Sequence, residues 1–99
     1  MEKKEFQKTL KQYFSKFKQY RFYTLYINNI EKVFNNGHGS LPLFYFDIEK
    51  KTVIVNNYLA NKSDYAKLSD FFNVYNLDFK IVKKTLGYPE YYTRDLNNI

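Results

Sequence analysis

The chain has no cysteine and no tryptophan, and it has one histidine, two prolines and three glycines. Without cysteine, no disulfide, thiolate metal site or cysteine nucleophile can form. His38, in the glycine-containing segment NGHGSLP, has no second histidine or neighbouring carboxylate to orient it as a base. That segment also lacks the Gly-Lys-Ser/Thr ending of a phosphate-binding loop. We therefore expect no enzyme activity, no catalytic residue, no metal and no cofactor.

Long apolar runs are also missing. No uncharged stretch approaches the roughly 20 residues that a membrane-spanning helix needs, and the start, MEKKEFQKTLKQ, has no apolar core of a secretory signal. The expectation is a soluble cytoplasmic protein with neither a membrane partner nor a small-molecule substrate.

The chain is rich in lysine and in aromatic residues. Its formal charge is +6, 14 of its 16 basic residues are lysine, and it has 11 tyrosines and 10 phenylalanines among 99 residues. Such an excess of positive charge favours acidic partners, of which nucleic acid is one. Lysine is a point charge that cannot fork across a guanine edge as arginine does, so backbone contact is favoured over base reading. A low-GC genome would give the same composition, because Phe, Tyr, Ile, Asn and Lys have A/T-rich codons.

Apolar spacing predicts a single domain over residues 1–99 and most of its elements. A helical stripe predicts a helix over 3–19. Residues 20–35 have both strand propensity and helical spacing, which predicts either one helix or a strand followed by a helix, and we favour the helix. A loop follows over 36–42, then a β-hairpin over 43–57, a helix over 63–72 and a tail over 87–99.

The segment KLSDFFNVYNLDFKIVKKTLGYP admits two interpretations over residues 77–86. Leu77, Phe79 and Ile81 alternate with Asp78, Lys80 and Val82, and this period of two predicts a strand. A helix is favoured by Asp78 as its N-cap, by a staple between Leu77 and Val82, and by a terminal glycine. With Asn73 as the turn residue, this helix pair resembles a helix-turn-helix motif, although a helix would expose Ile81.

The helical interpretation predicts an α+β fold with two N-terminal helices, a β-hairpin and a C-terminal helix pair, in a winged-helix-like arrangement. The alternative is that the last element is a strand, which gives a three-stranded antiparallel sheet packed by helices.

These features predict a small non-enzymatic protein that binds single- or double-stranded DNA, an accessory factor in the replication or transcription of a phage or mobile element. Lysines would contact phosphates and tyrosines would stack on bases. The candidate residues are Lys80, Lys83, Lys84, Lys50, Lys51, Tyr88, Tyr91, Tyr92 and Arg94. The alternative is a protein-binding accessory subunit or an inhibitor of a host or element-encoded enzyme. A third pattern, Asp47, Glu49 and Lys51, is similar to a restriction-type nuclease site. Such a site needs another acidic residue upstream on a neighbouring strand, and Glu2, Glu5 and Glu31 all fall in helical patterns.

Overall fold

The structure is a computed structural model that describes residues 2–25, 30–35 and 42–84, with the side chains of residues 23–25 excepted. The described residues form two helices and a five-stranded mixed sheet. In chain order these elements are α1 (Lys3–Phe14), β1 (Tyr20–Leu25), β2 (Ile30–Asn35), β3 (Pro42–Asp47), β4 (Thr52–Asn56), α2 (Lys62–Val74) and β5 (Lys80–Lys84). The spatial order of the strands is β1-β2-β3-β4-β5. Neighbours are antiparallel from β1 to β4, and β5 lies parallel to β4.

Helix α1 begins where the apolar stripe predicts and ends five residues earlier than predicted. Its buried side chains, Phe6, Leu10, Tyr13 and Phe14, fall on one face. The N–H of Phe17 then donates to the carbonyl of Phe14 (3.0 Å), and the chain turns into β1. This tight turn explains why the helix does not reach residue 19.

The predicted helix over residues 20–35 is wrong. These residues supply the antiparallel strands β1 and β2, with Phe22 opposite Val33 and Arg21 opposite Phe34. In β2, Ile30 and Phe34 are buried on one sheet face while Val33 is buried on the other. A strand buried on both faces has apolar residues at spacings of three and four, and this pattern imitates an amphipathic helix.

Strands β3 and β4 form the predicted hairpin. Phe44 lies opposite Val55 and Phe46 opposite Val53, so these four side chains share one face of the sheet. Tyr45, between the two phenylalanines, points to the other face because strand side chains alternate. The turn between the strands contains Lys51 in the left-handed conformation, with φ of 47°.

Helix α2 begins with a capping box. The side chain of Asn61 accepts a hydrogen bond from the N–H of Asp64 (2.9 Å), and the carboxylate of Asp64 accepts one from the N–H of Asn61 (3.0 Å). The two bonds satisfy backbone donors that a helix start leaves unpaired. Leu68, Phe71 and Phe72 of this helix are buried.

The predicted C-terminal helix over residues 77–86 is also wrong. Residues Lys80–Lys84 form β5, in which Ile81 lies beside Val53 and Val82 beside Ile54. Pairing with β4 satisfies backbone groups that the helix would have bonded internally, and it gives Ile81 an apolar neighbour. The helix-turn-helix and the winged-helix-like arrangement are therefore absent from the described residues. The three-stranded antiparallel alternative is wrong as well, because the sheet has five strands and a parallel pair.

The core lies between one face of the sheet and both helices. The ring of Phe71 in α2 lies 5.4 Å from Phe14 of α1 and 6.0 Å from Phe46 of β3. Phe79, just before β5, stacks on Phe6 with ring centroids 5.2 Å apart. Strand β5 stands last in the strand order, and its residues other than the half-buried Val82 are exposed, so it positions the candidate site.

Candidate functional site

Five of the predicted binding residues are lysines, and the structure describes all five. They lie along one edge of the sheet. Lys50 and Lys51 belong to the β3–β4 turn, and Lys80, Lys83 and Lys84 belong to β5; all five are exposed. The N–H of Lys80 donates to the carbonyl of Lys51 (2.9 Å), which joins the turn to the start of the strand. We call these five residues the lysine strip.

The lysine strip is about 13 Å long within β5, because four steps of a strand rise about 3.3 Å each. Lys80 and Lys84 point to the sheet face that the helices do not cover, whereas Lys83 points to the helical side with Ile81. The ammonium nitrogen of Lys83 lies 4.9 Å from the centroid of the Tyr65 ring, a cation–π distance. Positive charge therefore flanks the strand on both sides.

Strand β5 pairs with β4 and, within the described ranges, with no other strand. Lysines are common on such edges because their charge discourages pairing with a second chain. The same charges can also contact phosphates. The position of the lysines is thus compatible with two roles that experiment can separate.

Glu31, which the sequence placed in a helical pattern, lies in β2 opposite Phe46 of β3. The nuclease-like pattern is nevertheless not assembled as a metal site. The Oδ1 atom of Asp47 accepts a hydrogen bond from the N–H of Lys50 (3.1 Å), so its carboxylate closes the hairpin turn. Glu49 and Lys51 lie in that turn and are exposed. Among the described residues, no group of three or more His, Cys, Asp or Glu side chains could hold a metal ion.

The remaining predicted site residues fall in segments that the structure does not describe. They are Tyr88, Tyr91, Tyr92 and Arg94. Their predicted roles stay predictions. His38, for which no catalytic role was expected, also lies outside the described residues.

Two tyrosines that the sequence interpretation missed adjoin the lysine strip. The N–H of Asn57 donates to the carbonyl of Lys84 (2.7 Å), which places Tyr58 directly after the end of the strip. The hydroxyl of Tyr65 donates to Oδ1 of Asn57 (2.9 Å), and burial raises the pKa of Tyr65. Tyr58 follows a predicted strand and precedes a predicted helix cap. This position in a loop could have indicated that its ring is exposed.

The sheet face opposite the helices carries cations paired with rings. The nitrogen Nζ of Lys32 lies 5.7 Å from the Tyr45 ring centroid, and Cζ of Arg21 lies 5.5 Å from that of Phe34. Tyr45 and Phe34 are buried, with 1% and 5% of their surface exposed. Burial lowers the pKa of Lys32. Rings so well covered cannot stack on bases, so this face is a weaker candidate than the lysine strip.

None of the helices in the described part of the chain is long and apolar enough to cross a membrane. Comparison with known proteins gives no assignment, since no protein-family model, curated protein or solved structure matches the chain.

Proposed function

We propose that this protein is a non-enzymatic cytoplasmic nucleic-acid-binding protein that holds the phosphate backbone along the lysine strip. The observation that carries the proposal is the 2.9 Å hydrogen bond between the N–H of Lys80 and the carbonyl of Lys51. It brings together two lysine groups that lie almost thirty residues apart in the sequence. A role in replication or transcription of a phage or mobile element fits this activity and belongs to the same proposal.

The spacing of the charges supports backbone contact. A nucleic-acid strand in a duplex carries one phosphate per roughly 3.4 Å of helix axis, so about 13 Å of β5 spans about four phosphates. Each lysine that neutralises a phosphate releases condensed counterions, and this release drives binding. Lysine is a point charge without the planar pair of donors by which arginine recognises a base. The proposed binding is therefore independent of the nucleotide sequence. No element is proposed to enter a groove.

The first experiment is a salt titration of DNA affinity. With four to six phosphate contacts, the logarithm of the association constant should fall against the logarithm of salt concentration with a slope of about minus three to minus five. A dissociation constant no tighter than about 1 mM at low salt, equivalent to only about 4 kcal/mol of binding, would contradict the proposal.

The second experiment compares two triple variants with equal net charge. In the strip variant, Lys80, Lys83 and Lys84 become glutamine. In the control variant, the lysines on the solvent face of α1 become glutamine; these are Lys4, Lys8 and Lys11, all exposed.

The strip variant should bind more weakly and lose about three units of salt slope, one for each phosphate contact. The control variant should keep the wild-type slope. Equal losses in both variants would mean that net charge alone attracts DNA, and no loss in the strip variant would mean that its lysines only guard the sheet edge.

A protein partner is the second candidate, and the geometry of the β5 edge favours it. In a parallel ladder, Lys80 and Lys84 bond to the β4 side, so the backbone groups of Ile81 and Lys83 point the other way. Ile81 is 39% exposed. An extended acidic segment of another protein could pair with this edge as an added strand.

Ile81→Pro would remove one outward N–H from the edge of β5. The substitution should therefore abolish such a complex and leave DNA affinity unchanged. A complex that survives the substitution would show that the partner does not bind this edge.

A further inference from the structure

Tyr58 is an exposed aromatic residue on a firmly anchored stretch of backbone. Its side chain is 69% exposed. Its N–H donates to Oδ1 of Asn56 (3.2 Å), and the carbonyl of Asn56 accepts from the N–H groups of Leu59 and Ala60 (3.0 Å each). Asn56 is itself fully buried, and its Nδ2 donates to the carbonyl of Pro42 (3.2 Å). The buried amide thus fixes the turn from which the Tyr58 ring projects.

Tyr58 follows in the chain the residue that is bonded to the end of the lysine strip. Asn57 connects it to the strip, because its N–H donates to the carbonyl of Lys84 and its side chain accepts from Tyr65. Lys83 lies over the Tyr65 ring. An exposed aromatic residue next to the lysine-bearing end of a strand suits single-stranded nucleic acid, in which bases are free to stack. Bases of a duplex are stacked on one another and cannot reach such a ring.

We infer that the target is single-stranded nucleic acid and that Tyr58 stacks on a base next to the phosphate held by Lys84. This inference rests on the proposed function. Tyr58 is a binding residue that the sequence did not predict. Its contact with an unpaired base distinguishes a single-stranded target from a duplex. The phenol ring, not its hydroxyl group, supplies the contact.

The test measures the affinity of four proteins for three ligands at one low salt concentration. The proteins are wild type, Tyr58→Ala, Tyr58→Phe and a control variant, Val74→Ala, which truncates another exposed apolar side chain. The ligands are a short single-stranded oligothymidine, an abasic strand of the same length and a duplex of the same length. The abasic strand carries the phosphates without the bases, so it isolates the contribution of stacking.

Wild type should bind the oligothymidine about tenfold more tightly than the abasic strand, in the range that stacking of one base gives. Tyr58→Ala should lose that preference and keep the affinity for the abasic strand, and Tyr58→Phe and Val74→Ala should behave as wild type. Two results would overturn the stacking role. Tyr58→Ala could bind the oligothymidine as tightly as wild type does, or it could lose as much affinity for the abasic strand as for the oligothymidine. Failure of wild type to bind any of the three ligands would instead overturn the proposed function.

Discussion

The hydroxyl of Tyr20 lies 2.7 Å from Oδ1 of Asp64, and this hydrogen bond joins the first residue of β1 to the capping box of α2. Both side chains are buried, with 6% and 2% of their surface exposed. Asp64 therefore has two structural roles, since the same carboxylate accepts from the N–H of Asn61. Residues 44 positions apart in the chain are thus held together by a charge-assisted hydrogen bond.

Tyr20→Phe should lower the free energy of unfolding by about 2 kcal/mol, because it leaves a buried carboxylate with one donor fewer. Tyr13→Phe is the matched comparison. Its hydroxyl donates to Oδ2 of Asp70 (2.6 Å), but Asp70 is exposed and water can replace the lost donor. Tyr13→Phe should lower the free energy of unfolding by about 1 kcal/mol or less. Urea denaturation of the three proteins checks the order, and equal losses would show that burial of the acceptor does not matter.

Stability should fall in strongly alkaline solution. Burial, followed by hydrogen bonding to Asp70, raises the pKa of Tyr13 to about 12, and burial and Asp64 raise the pKa of Tyr20 further. The unfolded chain releases these protons near pH 10 and the folded chain holds them to higher pH. The stabilisation is therefore complete below pH 10 and is lost as the pH rises from 10 towards 12, by up to about 1.4 kcal/mol per pH unit for each tyrosine.

The Tyr13→Phe/Tyr20→Phe double variant keeps every lysine, so it separates tyrosine ionisation from the loss of lysine charge over the same range. Its free energy of unfolding should depend less steeply on pH than that of wild type between pH 10 and 12. Parallel curves for the two proteins would rule out the tyrosines as the cause.

Local signals predicted the helix starts and the hairpin, and non-local pairing explains what they missed. The stripe of α1 arises from burial on one side of the helix, and the hairpin was recognisable from aromatic and β-branched residues on either side of a polar turn. Strand β2 is buried on both sides: Glu31, on the helical side, is fully buried and accepts a hydrogen bond from Nε2 of Gln7. Its sequence therefore shows no clean alternation, and the helical spacing of Ile30, Val33 and Phe34 is a consequence of burial on two faces.

The error over β5 has a different cause. Its partner, β4, is separated from it by the whole of α2, and a parallel pair of this kind leaves no turn signature in the sequence. The only local objection to a helix was Ile81, and that objection was correct. Exposure of Lys80, Lys83 and Lys84 could be predicted because these residues reach the surface from either a helix or an edge strand. Tyr58 was missed because only the bond from Asn57 to the end of β5 brings its loop near them.

Phe71→Ala should remove a large part of the stability of the fold. The ring is fully buried and meets residues of α1 and β3 at centroid distances of 5.4 to 6.0 Å. Truncation of a buried phenylalanine costs about 3–5 kcal/mol, against a total of about 5–15 kcal/mol for a domain. Val74→Ala, three residues along the same helix but 59% exposed, should change stability by less than about 0.5 kcal/mol. Thermal unfolding distinguishes them, and comparable shifts would contradict the assigned core.

Two asparagines at the end of α2 should respond to alanine with opposite signs. Asn76 follows the C-cap with φ of 53°, and the bonds Leu77 N–H to Phe72 carbonyl (2.8 Å) and Asn76 N–H to Asn73 carbonyl (3.3 Å) form a Schellman motif. Asn76→Ala should cost about 1 kcal/mol, because alanine tolerates the left-handed conformation poorly, and Asn76→Gly should cost nothing.

Asn73, the residue that the helix-turn-helix interpretation placed at the turn, lies inside α2 and is exposed. Asn73→Ala should therefore stabilise the protein by up to about 0.7 kcal/mol, the difference in helix propensity between the two residues. Urea denaturation of the three single variants gives the signs directly. The opposite result, a loss of stability in Asn73→Ala and none in Asn76→Ala, would contradict this assignment. It would show that helix α2 ends at Asn73 and that the turn towards β5 begins there.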